Sequence, residues 1–401
     1  MMHLSIIGGG PAGMRAAEVA AQGGAEVTLY DAKPSVGRKF LVAGRGGLNL
    51  THGEPMERFE PRFSGAGQPS GIWQSMLTDF GPDALRRWAA ELGVETFQAT
   101  SGRVYPREMK AAPLLRRWVQ RLRDLGVVFA MNHRWTGLRH GDAISLEFMT
   151  PDGPRSSHAD AVVLALGGAS WPQTGSDGSW VSILESHGIS VSRLLPANCG
   201  WEFPWSDKVL AEAEGKPLKN IVVSVGEEEV VGELLVTRYG LEGGAIYQLG
   251  KALRGMKDPV IHIDFKPTFT IDQLVAKLDG VRRDWFHESV RRWRLSDACA
   301  AILSEMHGNE PWSSVRQIAQ LAKCCNISLV RPRPIAEAIS SAGGVCWAEL
   351  DQHLMLVKIP SVYVAGEMID WEAPTGGYLM QGCFATGTRA ARSALARCHR
   401  Q

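Results

Sequence analysis

The chain has 401 residues, 45% of them hydrophobic, which predicts a large core divided between two or three folding units. Its 43 basic and 42 acidic residues leave a formal net charge of +1 without a long run of one sign, so we do not expect nucleic acid as a partner. The chain lacks a run of about 18 to 20 apolar residues that would span a membrane. It also lacks a signal-peptide pattern, so we expect a cytoplasmic protein that acts on a small molecule.

The first 31 residues predict a βαβ unit. An apolar strand at residues 3–7 is followed by a glycine turn, an alanine-rich helix at residues 13–22 and a second strand at residues 26–30. This order is typical of an α/β fold with a doubly wound parallel sheet.

The middle of the chain predicts an inserted domain, because its pattern changes at about residue 197. Before that point, amphipathic helices near residues 81–92 and 112–125 precede strands at residues 127–130 and 161–166. After it, the predicted elements are short strands at residues 219–225, 232–237 and 260–265, then Trp- and Arg-rich helical segments at residues 271–325.

The glycine-rich pattern returns at residue 341, with a strand at residues 361–365 and a final helix at residues 377–397. We therefore expect residues 1–195 and 341–401 to form one α/β domain. The insert would comprise residues 196–340, with a β-rich part at 196–268 and a helical part at about 269–326.

Seven cysteines, an odd number without a C-x-x-C pair, indicate neither a disulfide framework nor a zinc site. We expect reduced thiols and no metal site. Cys324 and Cys325 are adjacent and so lack the separation of the usual redox-active pairs. We expect neither to take part in turnover.

A G-x-G-x-x-G motif occupies residues 8–13, directly after the first strand and at the start of the helix. Gly8 permits the tight turn, Gly10 lets the backbone approach a pyrophosphate, and Gly13 lets the helix pack on the strand. The helix that begins near Pro11 and Ala12 offers the unpaired N–H groups of its first turn to the phosphates, although Pro11 itself has no N–H.

An acidic residue, Asp31, ends the second strand 18 positions after Gly13. There a carboxylate can accept hydrogen bonds from both ribose hydroxyls of an adenosine, and it would repel a 2′-phosphate. The alternative is an ordinary strand-to-helix turn with a solvated aspartate. The coincidence of strand, glycines, helix and acid favours dinucleotide binding.

A second glycine-rich segment runs from Gly37-Arg38-Lys39 through Gly44 to Asn49. Its small residues suit a backbone that closes over a flat, phosphate-bearing ligand, which favours FAD over NAD. The alternative is a mobile surface loop.

The end of the chain places acidic groups close to a second helix N-terminus. A strand ends at Gly366-Glu367, and Asp370 and the pair Gly376-Gly377 follow before the last helix. A helix N-terminus near the flavin pyrimidine ring would stabilise the negative charge of the reduced ring. Alternatively, either acid caps the helix.

These motifs together resemble the BaiN/YhiN-type NAD(P)/FAD-dependent oxidoreductases of the glutathione-reductase-like superfamily. The resemblance covers nearly the whole chain and rests on residues 8–31, 37–51, 102–106, 164–168 with Pro172 and 174–176, 237–243, 343–345 and 365–378. It implies a three-layer β/β/α FAD domain interrupted by a β-barrel-like and a small helical subdomain.

The resemblance also implies roles for single residues. Gly366 and Glu367 would meet the ribityl-pyrophosphate, and the segment containing Trp135 would pass the adenine through backbone contacts. Arg38 and Lys39 would lie near the phosphates or the flavin. The candidate cofactor-binding residues are Gly8, Gly10, Pro11, Ala12, Gly13, Asp31, Arg38, Lys39, Gly44, Trp135, Gly167, Gly366, Glu367, Asp370, Gly376 and Gly377.

Several positions depart from the family pattern. Ala43 stands where the family usually has serine, and Gly47-Leu48 replaces an Arg-Cys pair. His52 replaces an asparagine, Leu166 a threonine and Arg238 a histidine. These positions are expected to face the flavin, so the substrate of a relative does not carry over to this chain.

The expected function is an FAD-dependent oxidoreductase that passes a hydride from NAD(P)H through FAD to an organic acceptor, with a conjugated C=C bond as one candidate. The sequence identifies no general acid or base, because its histidines are scattered without a partner spacing. The alternatives are an FAD monooxygenase and a flavin-stabilised protein, associated with RNA or another partner, that has little turnover.

Overall fold

The fold is defined by a computed structural model that describes residues 2–44, 46–141 and 143–398. Contacts divide the chain into two compact units, Met1–Pro196 with Ile339–Gln401, and Ala197–Ala338. The first unit is therefore discontinuous in sequence, and the second is an insert.

The first stretch of the discontinuous unit alternates strands and helices. Its strands are β1 His3–Ile7, β2 Glu26–Asp31, β3 Thr51–His52, β4 Thr96–Gln98, β5 Arg103–Pro106, β6 Val128–Met131, β7 Arg134–His140, β8 Ile144–Thr150, β9 Gly153–Ala159, β10 Ala161–Leu164 and β11 Val191–Ala197. Its helices are α1 Pro11–Gln22, α2 Arg38–Ala43, α3 Met56–Phe59, α4 Ile72–Asp79, α5 Pro82–Glu91, α6 Ala111–Asp124 and α7 Trp180–Ser186.

The insert combines an antiparallel sheet with a set of helices. Its strands are β12 Trp201–Glu202, β13 Pro217–Val225, β14 Glu228–Thr237, β15 Gly240–Glu242, β16 Val260–Asp264 and β17 Cys325–Ser328. Its helices are α8 Asp207–Ala213, α9 Gly244–Gln248, α10 Gly250–Gly255, α11 Ile271–Ala276, α12 Trp285–Trp293, α13 Asp297–His307 and α14 Val315–Lys323. The sheet order is β12-β15-β14-β13-β16-β17, so the chain returns to the sheet after its helices.

The chain then completes the first unit with β18 Ser340–Val345, β19 Val362–Val364 and α15 Tyr378–Cys398. Its central sheet has five strands in the order β19-β10-β1-β2-β6, and the pairings are parallel. The strands are short apolar runs such as Ala161–Leu164, which is buried throughout, as expected for a parallel sheet covered on both faces.

Two layers cover this sheet. Helices α1, α6 and α15 pack on one face, where Leu4, Ile6 and Leu29 belong to their core cluster. On the other face, Ile7 and Tyr30 pack with residues of the antiparallel sheet β7-β8-β9. This is the three-layer β/β/α arrangement, and the predicted α/β fold class is confirmed.

None of the helices formed by the described residues is both long and apolar enough to cross a membrane.

A buried carboxylate ties the helical layer together. Glu18 on α1 has no exposed surface, and it accepts hydrogen bonds from Arg15 at 3.1 Å and Arg121 at 3.0 Å. The indole N–H groups of Trp88 and Trp118 also donate to it, at 2.9 and 3.0 Å. Because a buried charge is tolerated only when it is paired and hydrogen-bonded, these four donors hold α1, α5 and α6 in one arrangement.

We predict that Glu18→Ala lowers the free energy of unfolding by about 3–5 kcal/mol, because it leaves two guanidinium groups and two indoles without their acceptor. Glu91→Ala is the matched control, since Glu91 also approaches Arg121, at 3.6 Å, but its side chain is 66% exposed. Its loss is expected to cost less than about 1 kcal/mol. Urea unfolding of the two variants measures the difference, and equal effects would show that the buried cluster does not stabilise the layer.

Candidate functional site

A cleft opens at the carboxyl ends of the parallel strands β1, β2, β10 and β19 in the discontinuous unit. This edge of the sheet is where open α/β folds bind their ligands. The walls of the cleft enclose about 760 Å³ of empty space, part of which is open to solvent.

The cleft brings together many of the residues predicted from the sequence. Those that line it are Gly8, Gly10, Pro11, Ala12, Asp31, Arg38, Lys39, Trp135, Gly167, Gly366 and Glu367. Five predicted residues lie outside its lining, namely Gly13, Gly44, Asp370, Gly376 and Gly377.

The glycine turn joins β1 to α1 through backbone contacts that leave no room for side chains. Gly8 has a φ of +109°, and a Cβ atom there would lie 2.3 Å from the carbonyl oxygen of Ala165. A Cβ atom on Gly13 would lie 1.8 Å from the carbonyl oxygen of Gly8. Helix α1 therefore packs directly on the turn. Gly13 lies outside the cleft lining, but its lack of a side chain permits this close contact.

Gly10 differs from these two glycines because its missing side chain opens space. A Cβ atom on Gly10 would meet no protein atom within 4 Å. Gly10 is also the N-cap of α1, and no side chain caps the helix there. The first N–H groups of a 12-residue helix thus border an open cradle, which suits a phosphate group.

Asp31 at the end of β2 is held by the backbone on both sides. Its Oδ2 accepts the Gly9 N–H at 2.8 Å, and its Oδ1 accepts the Lys33 N–H at 2.8 Å. Burial raises the pKa of this carboxyl, although the two backbone hydrogen bonds act in the opposite direction. Each oxygen keeps a second lone pair, so the carboxylate can still accept ribose hydroxyls while it fixes the turn.

The acidic and cationic side chains of the cleft differ in their partners: Lys39 forms an ion pair, whereas Arg38 forms none with the residues that the structure describes. The Lys39 ammonium lies 2.8 Å from Glu367 Oε2 and 2.7 Å from Ser170 Oγ. The Arg38 guanidinium donates a long hydrogen bond of 3.4 Å to Ser35 Oγ. The charge of Asp31 also attracts this guanidinium. Within the described residues, no carboxylate lies within ion-pair distance of Arg38. Its charge thus remains available to an anionic ligand.

Several cleft residues were missed by the sequence analysis. Ser176 belongs to a segment that resembles the family, but it carries no glycine or acid pattern that would assign it to the cofactor. Cys383 lines the cleft and Ser170 accepts a hydrogen bond from the cleft residue Lys39, and both come to these places only through folding. Burial raises the pKa of Cys383 to about 12, so this thiol stays protonated and is a poor nucleophile.

The remaining predicted residues outside the cleft lining make close contacts elsewhere in the unit. A Cβ on Gly44 would lie 2.4 Å from that of Ala111, and one on Gly377 would lie 2.5 Å from the Thr51 backbone. Asp370 accepts a hydrogen bond from Ser192 at 2.6 Å. Cofactor contact by Gly44, Asp370, Gly376 and Gly377 stays a prediction.

Comparison with known proteins gives consistent matches over almost the whole chain. The sequence model described as the HI0933-like protein Rossmann domain matches residues 2–393. A 3-dehydro-bile acid delta(4,6)-reductase of Clostridium scindens is 29% identical over 99% of this chain and 100% of its own length. A ribosomal RNA dihydrouridine synthase of Escherichia coli is 23% identical over 98% of this chain and 97% of its own.

Solved structures share the fold at low sequence identity. The 3-ketosteroid delta1-dehydrogenase of Sterolibacterium denitrificans superposes with a TM-score of 0.54 at 11% identity, over 99% of this chain and 100% of that one. A flavocytochrome c3 fumarate reductase gives a TM-score of 0.50 at 14% identity, over 98% of this chain and 78% of that one. At these identities the likeness shows a common fold.

We predict that Gly10→Ala and Gly13→Ala have different effects on the ligand-free protein. Gly13→Ala should lower the free energy of unfolding by about 1–3 kcal/mol, because its Cβ would overlap the Gly8 carbonyl oxygen and displace the helix. Gly10→Ala should leave that free energy unchanged, because its Cβ enters open space. Urea unfolding of the apoproteins measures both. A destabilised Gly10 variant, or an unaffected Gly13 variant, would contradict the roles given to the two glycines.

Proposed function

Because this chain belongs to the HI0933-like Rossmann-domain family, we propose that it is an oxidoreductase that binds FAD non-covalently in the cleft. The observation that carries the proposal is the open cradle at Gly10, which lies at the N-terminus of α1 and within the same cleft as Asp31. A dinucleotide needs this combination, because a phosphate site and a ribose acceptor must occur together. When bound, FAD supplies two-electron hydride chemistry.

The charged residues of the cleft are suited to a pyrophosphate. Glu367 would repel phosphate, but the ion pair with Lys39 neutralises its charge. Arg38 and the positive end of the α1 dipole then provide attraction. Asp31 accepts the ribose hydroxyls and excludes a cofactor with a 2′-phosphate.

FAD is favoured over NAD by the residues that follow the first βαβ unit. The glycine-rich segment after Gly37 begins at the cleft with Arg38 and Lys39, and residues 366–367 line the cleft from the last strand of the chain. A cofactor that contacts these residues as well as the first βαβ unit must extend beyond its adenosine, as FAD does through its ribityl chain. With a single G-x-G-x-x-G motif in a strand-turn-helix context, we expect NAD(P)H to bind transiently as the electron donor, without a Rossmann domain of its own.

The electron acceptor that we propose is a C=C bond conjugated with a carbonyl group. The name of the bile-acid relative denotes reduction of ring double bonds, and that of the RNA relative denotes a uridine whose ring double bond has been reduced. Although their substrates differ in size, both names describe the same bond change. A conjugated carbonyl permits it, because one carbon accepts a hydride while its neighbour accepts a proton.

A second candidate acceptor is uridine within ribosomal RNA. It is favoured by the match to the dihydrouridine synthase over 98% of this chain. The near-neutral net charge of +1 argues for the small-molecule acceptor, since RNA binding relies on basic surface. The two candidates share the cofactor site and differ in what approaches it.

We predict that Asp31→Ala weakens FAD binding by roughly one to two orders of magnitude, because a hydrogen bond to a charged group contributes about 1.5–3 kcal/mol. Gly10→Val should bind almost no FAD, since its side chain would fill the phosphate cradle. Glu26→Ala is the control, because Glu26 is an exposed acid at the other end of the same strand. Titration of apoprotein with FAD measures the three affinities. A wild-type protein without affinity for FAD would refute the proposal.

We predict that the FAD-loaded protein is reduced by NADH or NADPH and reoxidised by a conjugated enone. Anaerobic stopped-flow absorbance separates the two half-reactions. A panel of steroid-like enones, quinones and uridine-containing ribosomal RNA distinguishes the acceptors. Reoxidation by the RNA but by none of the enones would reject the small-molecule acceptor. Reduction by neither nucleotide would reject the proposed donor.

A further inference from the structure

Two buried hydrogen-bonding groups in the cleft have no partner within the protein. Trp135 is 5% exposed and Ser176 is 7% exposed, and both line the cleft. Among the described residues, neither the Trp135 Nε1 nor the Ser176 Oγ has a hydrogen-bond partner. Buried polar groups are normally paired, so two such groups in one cleft require an explanation.

The positions of the two residues connect them to Asp31. Trp135 lies on β7, and His133 just before that strand donates its backbone N–H to the Asp31 carbonyl at 2.8 Å. Ser176 follows Gly175, whose Cβ position is 3.4 Å from the side chain of Lys33. Lys33 in turn donates its N–H to the Asp31 carboxylate. Both residues therefore lie in the part of the cleft that surrounds Asp31.

The opposite side of Ser176 faces the end of β10. Its Oγ lies 2.9 Å from the position that a Cβ on Gly167 would take, and Gly167 has a φ of +75°. The Trp180 indole already donates to the Gly167 carbonyl at 2.8 Å, so this acceptor has a partner. Gly167 thus leaves space for the Ser176 hydroxyl, but no described residue forms a hydrogen bond with this hydroxyl.

We infer that the Trp135 indole N–H and the Ser176 hydroxyl donate hydrogen bonds to the adenosine diphosphate half of FAD. An indole N–H can only donate, so its partner must be an acceptor such as a ribose, phosphate or adenine ring atom. The sequence assigned Trp135 to backbone contacts with the adenine and gave Ser176 no role. The inference rests on the proposed FAD site and adds side-chain donors to it.

The chain offers a matched control for each residue. Ser5 Oγ and Trp201 Nε1 are also buried without a partner among the described residues, and Ser5 is 0% and Trp201 2% exposed. Ser5 lies on β1 and Trp201 lies in the insert, and neither is among the residues that line the cleft. Each pair therefore has the same side chain, buried without a partner in the described part of the chain, and only one member of each pair lines the cleft. The pairs are Ser176 with Ser5 and Trp135 with Trp201.

The test compares Ser176→Ala with Ser5→Ala, and Trp135→Phe with Trp201→Phe. Titration of each apoprotein with FAD and with ADP gives the dissociation constants, and thermal melts of the apoproteins report their folding. We expect the two cleft variants to bind both ligands about 3- to 10-fold more weakly, which is the value of one hydrogen bond. The control variants should stay within about twofold of wild type. Within each pair, the apoproteins should melt alike, because neither residue loses a protein partner.

Three results would overturn the inference. Wild-type affinity for FAD in both cleft variants would show that the two groups do not donate hydrogen bonds to the cofactor. If the cleft and control variants bind FAD and ADP equally weakly, the substitutions act by disturbing the packing of the protein and not by removing contacts with the cofactor. Weaker FAD binding with unchanged ADP binding would place the contacts on the flavin half. A wild-type protein that binds neither FAD nor ADP would instead refute the proposed function itself, and this inference with it.

Discussion

The structure depends on one backbone contact, the approach of helix α1 to the turn at Gly8. A side chain on Gly13 would overlap the Gly8 carbonyl oxygen, and a side chain on Gly8 would overlap the carbonyl of Ala165 after β10. These contacts fix the N-terminus of α1 at the carboxyl ends of β1 and β10. The cleft, the open space at Gly10 and the direction of the helix dipole follow from that position.

The charged groups of the cleft are organised before a ligand binds. Asp31 is held by two backbone N–H groups, and Glu367 is held by Lys39. Because these side chains are already fixed, binding a dinucleotide costs little additional side-chain entropy. Arg38 is the exception, since its charge lacks a close partner among the described residues. The site therefore presents one cation to an anionic ligand.

Local patterns were sufficient to predict the elements of the βαβ unit. The strand at residues 3–7 matches β1, and the predicted helix differs from α1 only at its start, Pro11, because proline is well suited to a first helical position. The predicted strand at 161–166 ends at Leu164, since the chain turns away at the cleft where Gly167 adopts a positive φ. Predicted residues such as Asp31 and Glu367 lie in the cleft because strand ends define its edge.

Other features depend on contacts between distant parts of the chain, which a single sequence does not show. Strand β9 includes exposed polar residues, so its place in the β7-β8-β9 layer depends on pairing with β8. From the sequence, Glu18 would be taken for a solvated helix residue. In the structure α5 and α6 bury it, and Trp88 and Trp118 donate hydrogen bonds to it. Cys383 lines the cleft from the second turn of α15, Ser170 contacts Lys39 from the segment after β10, and neither position carries a motif.

The central claim is that the cleft holds FAD. The most direct measurement is to reconstitute the purified protein with a mixture of FAD, NAD and NADP, remove unbound nucleotide, denature the protein with acid and identify the released nucleotide by chromatography. We expect FAD, released without covalent attachment at one equivalent per chain. Release of NAD or NADP in its place, or of no nucleotide after reconstitution, would contradict it.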